Sequence, residues 1–155
     1  MMADRLAESY VSLAEAEAYF ADRLGTEAWV AADTNAKECA LLMALRELER
    51  LRWHGEKMSP EQVRCWPRRN APGAMSGVVP ATICAAQCEE ALAWLQPALT
   101  RRRLLRDAGV TSAQVEAVRE DYAPGGVEAL LSPAARALLT GWVRLGAVLV
   151  TEGRR

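Results

Sequence analysis

The stretch from Thr34 to Trp53, TNAKECALLMALRELERLRW, limits the fold more than any other part of the chain. Leu41, Ala44, Leu45, Leu48 and Leu51 recur at helical spacing, while Arg46, Glu47, Glu49 and Arg50 fall on the opposite side. That pattern predicts an amphipathic helix with one face in a core. Thr34 is placed to cap its first turn, and the helix ends near Arg52, where Trp53, His54 and Gly55 break the pattern. A helix with one apolar stripe needs partners, and the rest of the sequence is read for them.

Ser12 followed by Glu15 forms a capping box, and Leu13, Ala16, Phe20 and Leu24 continue as a helical stripe. A first helix is therefore predicted over residues 13–24, stopping at Gly25. Trp29 reads as an aromatic plug in the linker that follows. A third helix runs from Pro80 to about Leu95, with Cys84, Cys88, Ala91, Leu92 and Leu95 on one stripe, and Pro97 ends it. Ser132-Pro133 opens a fourth, with Ala135, Leu138, Leu139, Trp142, Leu145 and Leu149 facing one way. Gly141 and Gly146 weaken this last helix by roughly 1 kcal/mol each.

Between these elements lie two irregular regions. Residues 55–79 carry Ser59-Pro60, Trp66-Pro67, Ala71-Pro72-Gly73 and Ser76-Gly77, too many breakers for a regular element. Val110, Val115, Val118 and Tyr122 fit either a helix or a short hairpin. The expected fold is mainly α: a compact bundle of about four helices, with a short β-hairpin or extended arm before the C-terminal helix. Residues 1–97 form the helical core, and residues 98–155 are an extension of the same domain.

Composition narrows the chemistry. The chain has 155 residues, enough for one ordinary core. Its longest apolar run, residues 145–150, is far short of the roughly 20 residues a membrane helix needs, and residues 1–22 carry acids where a signal peptide has basic and apolar regions. A soluble, non-secreted protein without a membrane partner is expected. The four cysteines sit in or beside predicted helices, which favours free thiols in a reducing interior over a disulfide framework. Cys84 and Cys88 are spaced i, i+4 and lack the knuckle spacing of a zinc site. His54 is the only histidine and has no recognisable triad partners, so no catalytic residues, metal or cofactor are expected.

A formal net charge of −1 argues against a general nucleic-acid binder. Charge is segregated, however: residues 1–40 hold eight acids and three bases, residues 41–70 seven bases and four acids. Such asymmetry suits subunits that recognise one another. Trp66-Pro67-Arg68-Arg69 sets an aromatic ring beside two guanidinium groups, either to bind a partner or with Trp66 tucked into the core and the arginines solvated. Arg101, Arg102, Arg103 and Arg106 form a dense basic cluster, read either as a solvated face or as a seat for an anionic partner.

Several segments together resemble a known family: residues 9–16 (SYVSLAEA) with Tyr19-Phe20, Trp29, the helix from Ala40 to Trp53, Gln62 with Trp66-Pro67-Arg68, and Val79-Pro80 before Ala85, Gln87, Cys88 and Glu89. The chain is similar to the head–tail connector proteins of tailed bacteriophages, also called adaptor or head-completion proteins, some of which carry a DnaT-like single-stranded-DNA-binding name. The resemblance implies a mainly α subunit with an extended hairpin near residues 109–122 and a C-terminal helix from Leu131. It implies a non-enzymatic virion protein, made in the host cytoplasm and placed at the capsid vertex. There it would form a homo-oligomeric ring, usually of twelve subunits, between the portal protein and the tail or tail-completion protein. Double-stranded DNA would pass through its channel without sequence-specific contact.

On that reading Trp66, Pro67, Arg68, Arg69, Leu138, Trp142, Leu145 and Leu149 are candidates for the subunit or portal interface, and Arg101, Arg102 and Arg103 face DNA. Alternatively, the face carrying Leu138, Trp142, Leu145 and Leu149 folds back as the fourth member of its own bundle. The competing function is a single-stranded-DNA-binding module, with Trp66 and Tyr122 stacking on bases and Arg68, Arg69 and Arg101–Arg103 following the backbone.

Overall fold

The structure is a computed structural model that describes residues 5–108, 112–115, 118–121 and 131–144. It is mostly helical, with six helices and two small antiparallel ladders among the described residues: α1 (Leu13–Ala21), α2 (Glu27–Ala31), α3 (Thr34–Glu49), β1 (Glu56–Lys57), β2 (Arg68–Arg69), α4 (Ala81–Leu95), α5 (Pro97–Asp107), β3 (Ser112–Val115), β4 (Val118–Asp121) and α6 (Pro133–Leu139). The mainly α architecture with a hairpin before the last helix is as the sequence predicts.

The capping box opens α1: Ser12 Oγ accepts from the Glu15 backbone N–H while Glu15 Oε2 accepts from that of Ser12. The helix ends at Ala21, three residues before Leu24, whose side chain is fully exposed. The linker at Trp29 folds into a short helix of its own, α2, which drives the indole to 1 % exposure against Phe20, ring centroids 4.7 Å apart. Asp33, one residue ahead of Thr34, caps α3 by accepting from the Ala36 N–H at 2.7 Å.

Helix α4 is the central element. Its Cys88, Ala91 and Leu92 join Ala16, Phe20, Trp29, Leu41 and Ala44 in one apolar cluster. Its Ile83 and Ala86 join Leu48, Trp53, Trp66, Ala135, Leu139 and Val143 in a second. Between the clusters, the buried Gln87 side chain donates to the Leu41 carbonyl at 3.0 Å and to Ser9 Oγ at 2.7 Å, tying α4 to α3 through a polar contact.

The breaker-rich region is an ordered loop. Its ends pair as β1 and β2, with Glu56 opposite Arg69 and Lys57 opposite Arg68. Gly55 permits this closure: it has φ +73°, and a Cβ there would lie 2.4 Å from the Arg69 carbonyl oxygen. Gln62 fills the loop from inside, donating to the Arg64 and Pro67 carbonyls at 2.8 and 2.9 Å and accepting from the Met58 N–H. Glu49, assigned from periodicity to the solvated side of α3, instead faces this loop. It accepts from the Cys65 N–H at 3.0 Å and from the Tyr10 hydroxyl, whose oxygen in turn accepts from the Trp66 N–H.

Two further expectations are corrected. Pro97 ends one helix but also starts α5, because proline at a first helical position gives up only an N–H that would be unbonded anyway. The last helix stops at Leu139, ten residues before Leu149, with Gly141 at φ +86° turning the chain. The turn brings Val143 into a bridge with Trp53, Trp142 O into acceptance from the His54 N–H, and Arg144 N–H onto the Arg52 carbonyl at 2.6 Å. Residues 112–115 and 118–121 pair as antiparallel strands, with Ser112 opposite Asp121 and Val115 opposite Val118, which decides the ambiguity between helix and strand for these residues.

Candidate nucleic-acid interface

The residues proposed from sequence as contact groups divide by what the fold does with them. Trp66 is 2 % exposed, edge-on to Trp53 and to Trp142 at centroid distances of 5.6 and 5.7 Å, so its ring is inside the second cluster and cannot stack on a base or meet a subunit. Its peptide bond to Pro67 is cis. Arg68 is spent on the loop: Nε donates to the His54 carbonyl at 2.7 Å, Nη2 to Gly55 at 2.6 Å and Nη1 to Cys65 at 3.1 Å. A guanidinium that holds three carbonyls has little left for a partner. Arg69 is exposed but paired with Glu56 at 3.2 Å.

In α5 the run of arginines splits. Arg101 is exposed, the Arg102 side chain lies outside the described residues, and Arg103 points inward. Arg103 is 7 % exposed, stacks over the Trp94 ring at 4.6 Å and pairs with Glu90 at 2.5 Å. Arg103 therefore does not face DNA. It neutralises a carboxylate with no exposure at all, whose other oxygen accepts from the Ser132 N–H at 2.8 Å. Burial pushes the Glu90 carboxyl above its usual range, against the opposing pull of Arg103 and Ser132.

Leu138 and Trp142 are half-buried against the second cluster, and Ala135 and Leu139 are buried in it, so α6 belongs to its own subunit's core. Leu145, Leu149 and Tyr122 lie outside the described residues.

What remains free is a cleft the sequence did not reveal. It lies between α6 with its following turn and the segment at His54, and its volume is about 510 Å³. Leu131, Leu139 and Val143 line it with apolar surface, and His54, Arg136 and Arg144 supply its basic groups. Both arginines are exposed, and no described residue forms an ion pair with either. Among the described lining residues there is no carboxylate. His54 and Arg144 are separated by 90 positions in sequence, and the Trp53–Val143 bridge brings them together, so spacing held no signal for this site. Among the described residues no three His, Cys, Asp or Glu side chains are grouped to hold a metal ion, and no helix is long and apolar enough to cross a membrane.

The arrangement suits non-covalent binding of an anionic, partly apolar ligand. No curated protein and no solved structure matches the chain. The connector part of the resemblance thus has no counterpart among known proteins matched to the chain, whereas its DnaT-like part has one in a family model that matches residues 3–154. The chain belongs to the family described as "Putative DnaT-like ssDNA binding protein".

Proposed function

We propose that this protein is a non-enzymatic DNA-associated module whose ligand is single-stranded DNA, as its family description names. The observation that carries the reading is the family match over nearly the whole chain, joined to a set of unpaired arginines at Arg101, Arg136 and Arg144. The net charge of −1 still limits what electrostatics can supply. Binding of modest affinity that tracks the backbone and falls with salt fits these few cations. The side chains that the sequence suggests for stacking and backbone contact are excluded where they lie inside the fold, so the surface differs from Trp66, Arg68 and Arg103 even where the function does not. Fluorescence anisotropy with a labelled oligothymidine at 20 and 200 mM salt tests this: saturable binding that weakens steeply with salt supports it, and no binding at 20 mM refutes it.

A second reading keeps the connector role: a ring subunit between portal and tail, with double-stranded DNA passing through. What favours it is exposed apolar side chains in two segments of unlike charge, Leu24 and Val30 around the acidic α1–α2 corner and Met58, Val63 and Met75 on the long loop of the more basic segment. Unlike patches on one subunit are what a closed ring needs. Recovery of the protein in purified particles as a closed ring under electron microscopy would support this reading, and its absence from them would remove it.

A further inference from the structure

We propose that the cleft beside His54 is the seat of one nucleotide of single-stranded DNA, with the phosphate held by Arg136 and Arg144 and the sugar and base entering the cleft between them. The inference rests on the DNA-binding reading above and locates it. Charge complementarity points to this occupant. Most arginines of this protein whose side chains are described are already committed: Arg5, Arg23, Arg50, Arg64, Arg69 and Arg103 to carboxylates, and Arg68 to carbonyls. Arg136 and Arg144 are not, yet they converge on one cleft with the only histidine and no described carboxylate. Arg52 adds a further cation opposite Arg144, across the 2.6 Å backbone hydrogen bond, and its side chain has no ion-pair partner among the described residues. Gathering like charges costs energy unless an anion offsets it.

Size and surface agree with that occupant. A cleft of about 510 Å³ is within the range of small-ligand sites. Its floor is the nearly closed outer edge of the second core cluster, where Leu139 and Val143 are 3 % and 8 % exposed, so the support is rigid. Aliphatic side chains present no hydrogen-bonding edge, which makes base recognition tolerant of sequence. Gly141, at φ +86°, has no atom of the described residues within 4 Å of where a Cβ would stand, beside Thr140.

The test uses the full chain and a labelled dT20. Arg136→Glu and Arg144→Glu should each weaken binding by about tenfold or more and flatten the dependence of log K on log salt by about 0.7 for each phosphate no longer neutralised. Both side chains are exposed, so these variants should melt as the parent does; Arg136→Gln serves if a charge reversal does not. A photoreactive benzophenone side chain at position 140 should crosslink the oligonucleotide. If Arg101→Glu weakens binding while both cleft variants bind as the parent does, the cleft proposal is overturned and the DNA-binding reading stands. If the benzophenone captures a second copy or the chain's own residues and never the oligonucleotide, the cleft is a protein contact and the proposal falls. If the parent itself fails to bind at low salt, the DNA-binding reading fails, and this proposal with it.

Discussion

Replacing Arg103 by Met should be among the most damaging single changes in the molecule, although a basic residue in an arginine-rich helix looks replaceable. The methionine keeps an apolar stem over Trp94 but leaves the Glu90 carboxylate, which has no exposure to water, with only the Ser132 N–H. At the 2.5 Å separation of the pair and an effective dielectric near 20, the attraction removed is about 7 kcal/mol. Desolvation of the two ions already offsets part of that, and deletion of one partner of a buried pair costs about 3–5 kcal/mol. For a chain of this size that corresponds to a fall in Tm of about 6–20 °C. Adding Glu90→Gln to Arg103→Met removes the stranded charge and should restore much of the loss, a strongly non-additive pair.

The pH dependence follows from the same site. Burial holds the folded-state pKa of Glu90 above its ordinary value of 4.5, so the folded protein binds this proton more tightly than the unfolded chain does. Stability from this group therefore falls as pH rises from the ordinary value through the folded one. Removing Arg103 lifts the folded value further, so the variant should be closest to the parent near pH 4.5 and furthest from it at neutral pH. Urea unfolding followed by tryptophan fluorescence at both pH values measures this. A variant within about 1 kcal/mol of the parent at neutral pH, or one that gains on the parent as pH rises, would refute the reasoning.

Three other outcomes are expected. Gly55→Ala should lose about 1–3 kcal/mol from its left-handed φ alone, and more from the approach of Arg69 O, read as a lower urea midpoint. Tyr10→Phe deprives Glu49 of a donor and the Trp66 N–H of its acceptor, and should cost about 1–3 kcal/mol by the same assay without altering oligonucleotide binding. Cys88, buried and with its thiol pushed up to about 12 chiefly by that burial, should be the last of the four cysteines alkylated at pH 8, with half-buried Cys39 and Cys65 ahead of it in mass-spectrometric time courses.

Much of the fold was legible because its signals are local. The Ser12–Glu15 box, the Leu41–Leu48 stripe and Pro80 before α4 each act within a turn or two of helix, where periodicity and capping speak directly. The candidate site was not legible, for the opposite reason. Whether Arg103 meets solvent or Glu90, and whether Arg68 meets a partner or three carbonyls, depends on neighbours that the sequence does not place. Composition therefore marked the free Arg101 together with arginines that the fold commits, and missed two other free ones: Arg136 and Arg144 stand singly in their segments and gain meaning across the bridge to Trp53. The family resemblance shared this limit, since Tyr10, Gln62, Trp66 and Arg68, which carried it, are the residues that build the loop.

The pairing of Glu90 also bears on how the chain is made. A polypeptide leaving the ribosome completes the apolar stripes of α3 and α4 before either partner of this carboxylate exists, since Arg103 follows 13 residues after Glu90 and Ser132 follows 42. Until they arrive, closing α4 against its neighbours would strand an ion in the interior, so the nascent N-terminal portion keeps that end of the helix in water or protonates it. Commitment to the native state thus waits for the later helices, and a ribosome stalled before Arg103 would hold a chain that chaperones can still engage.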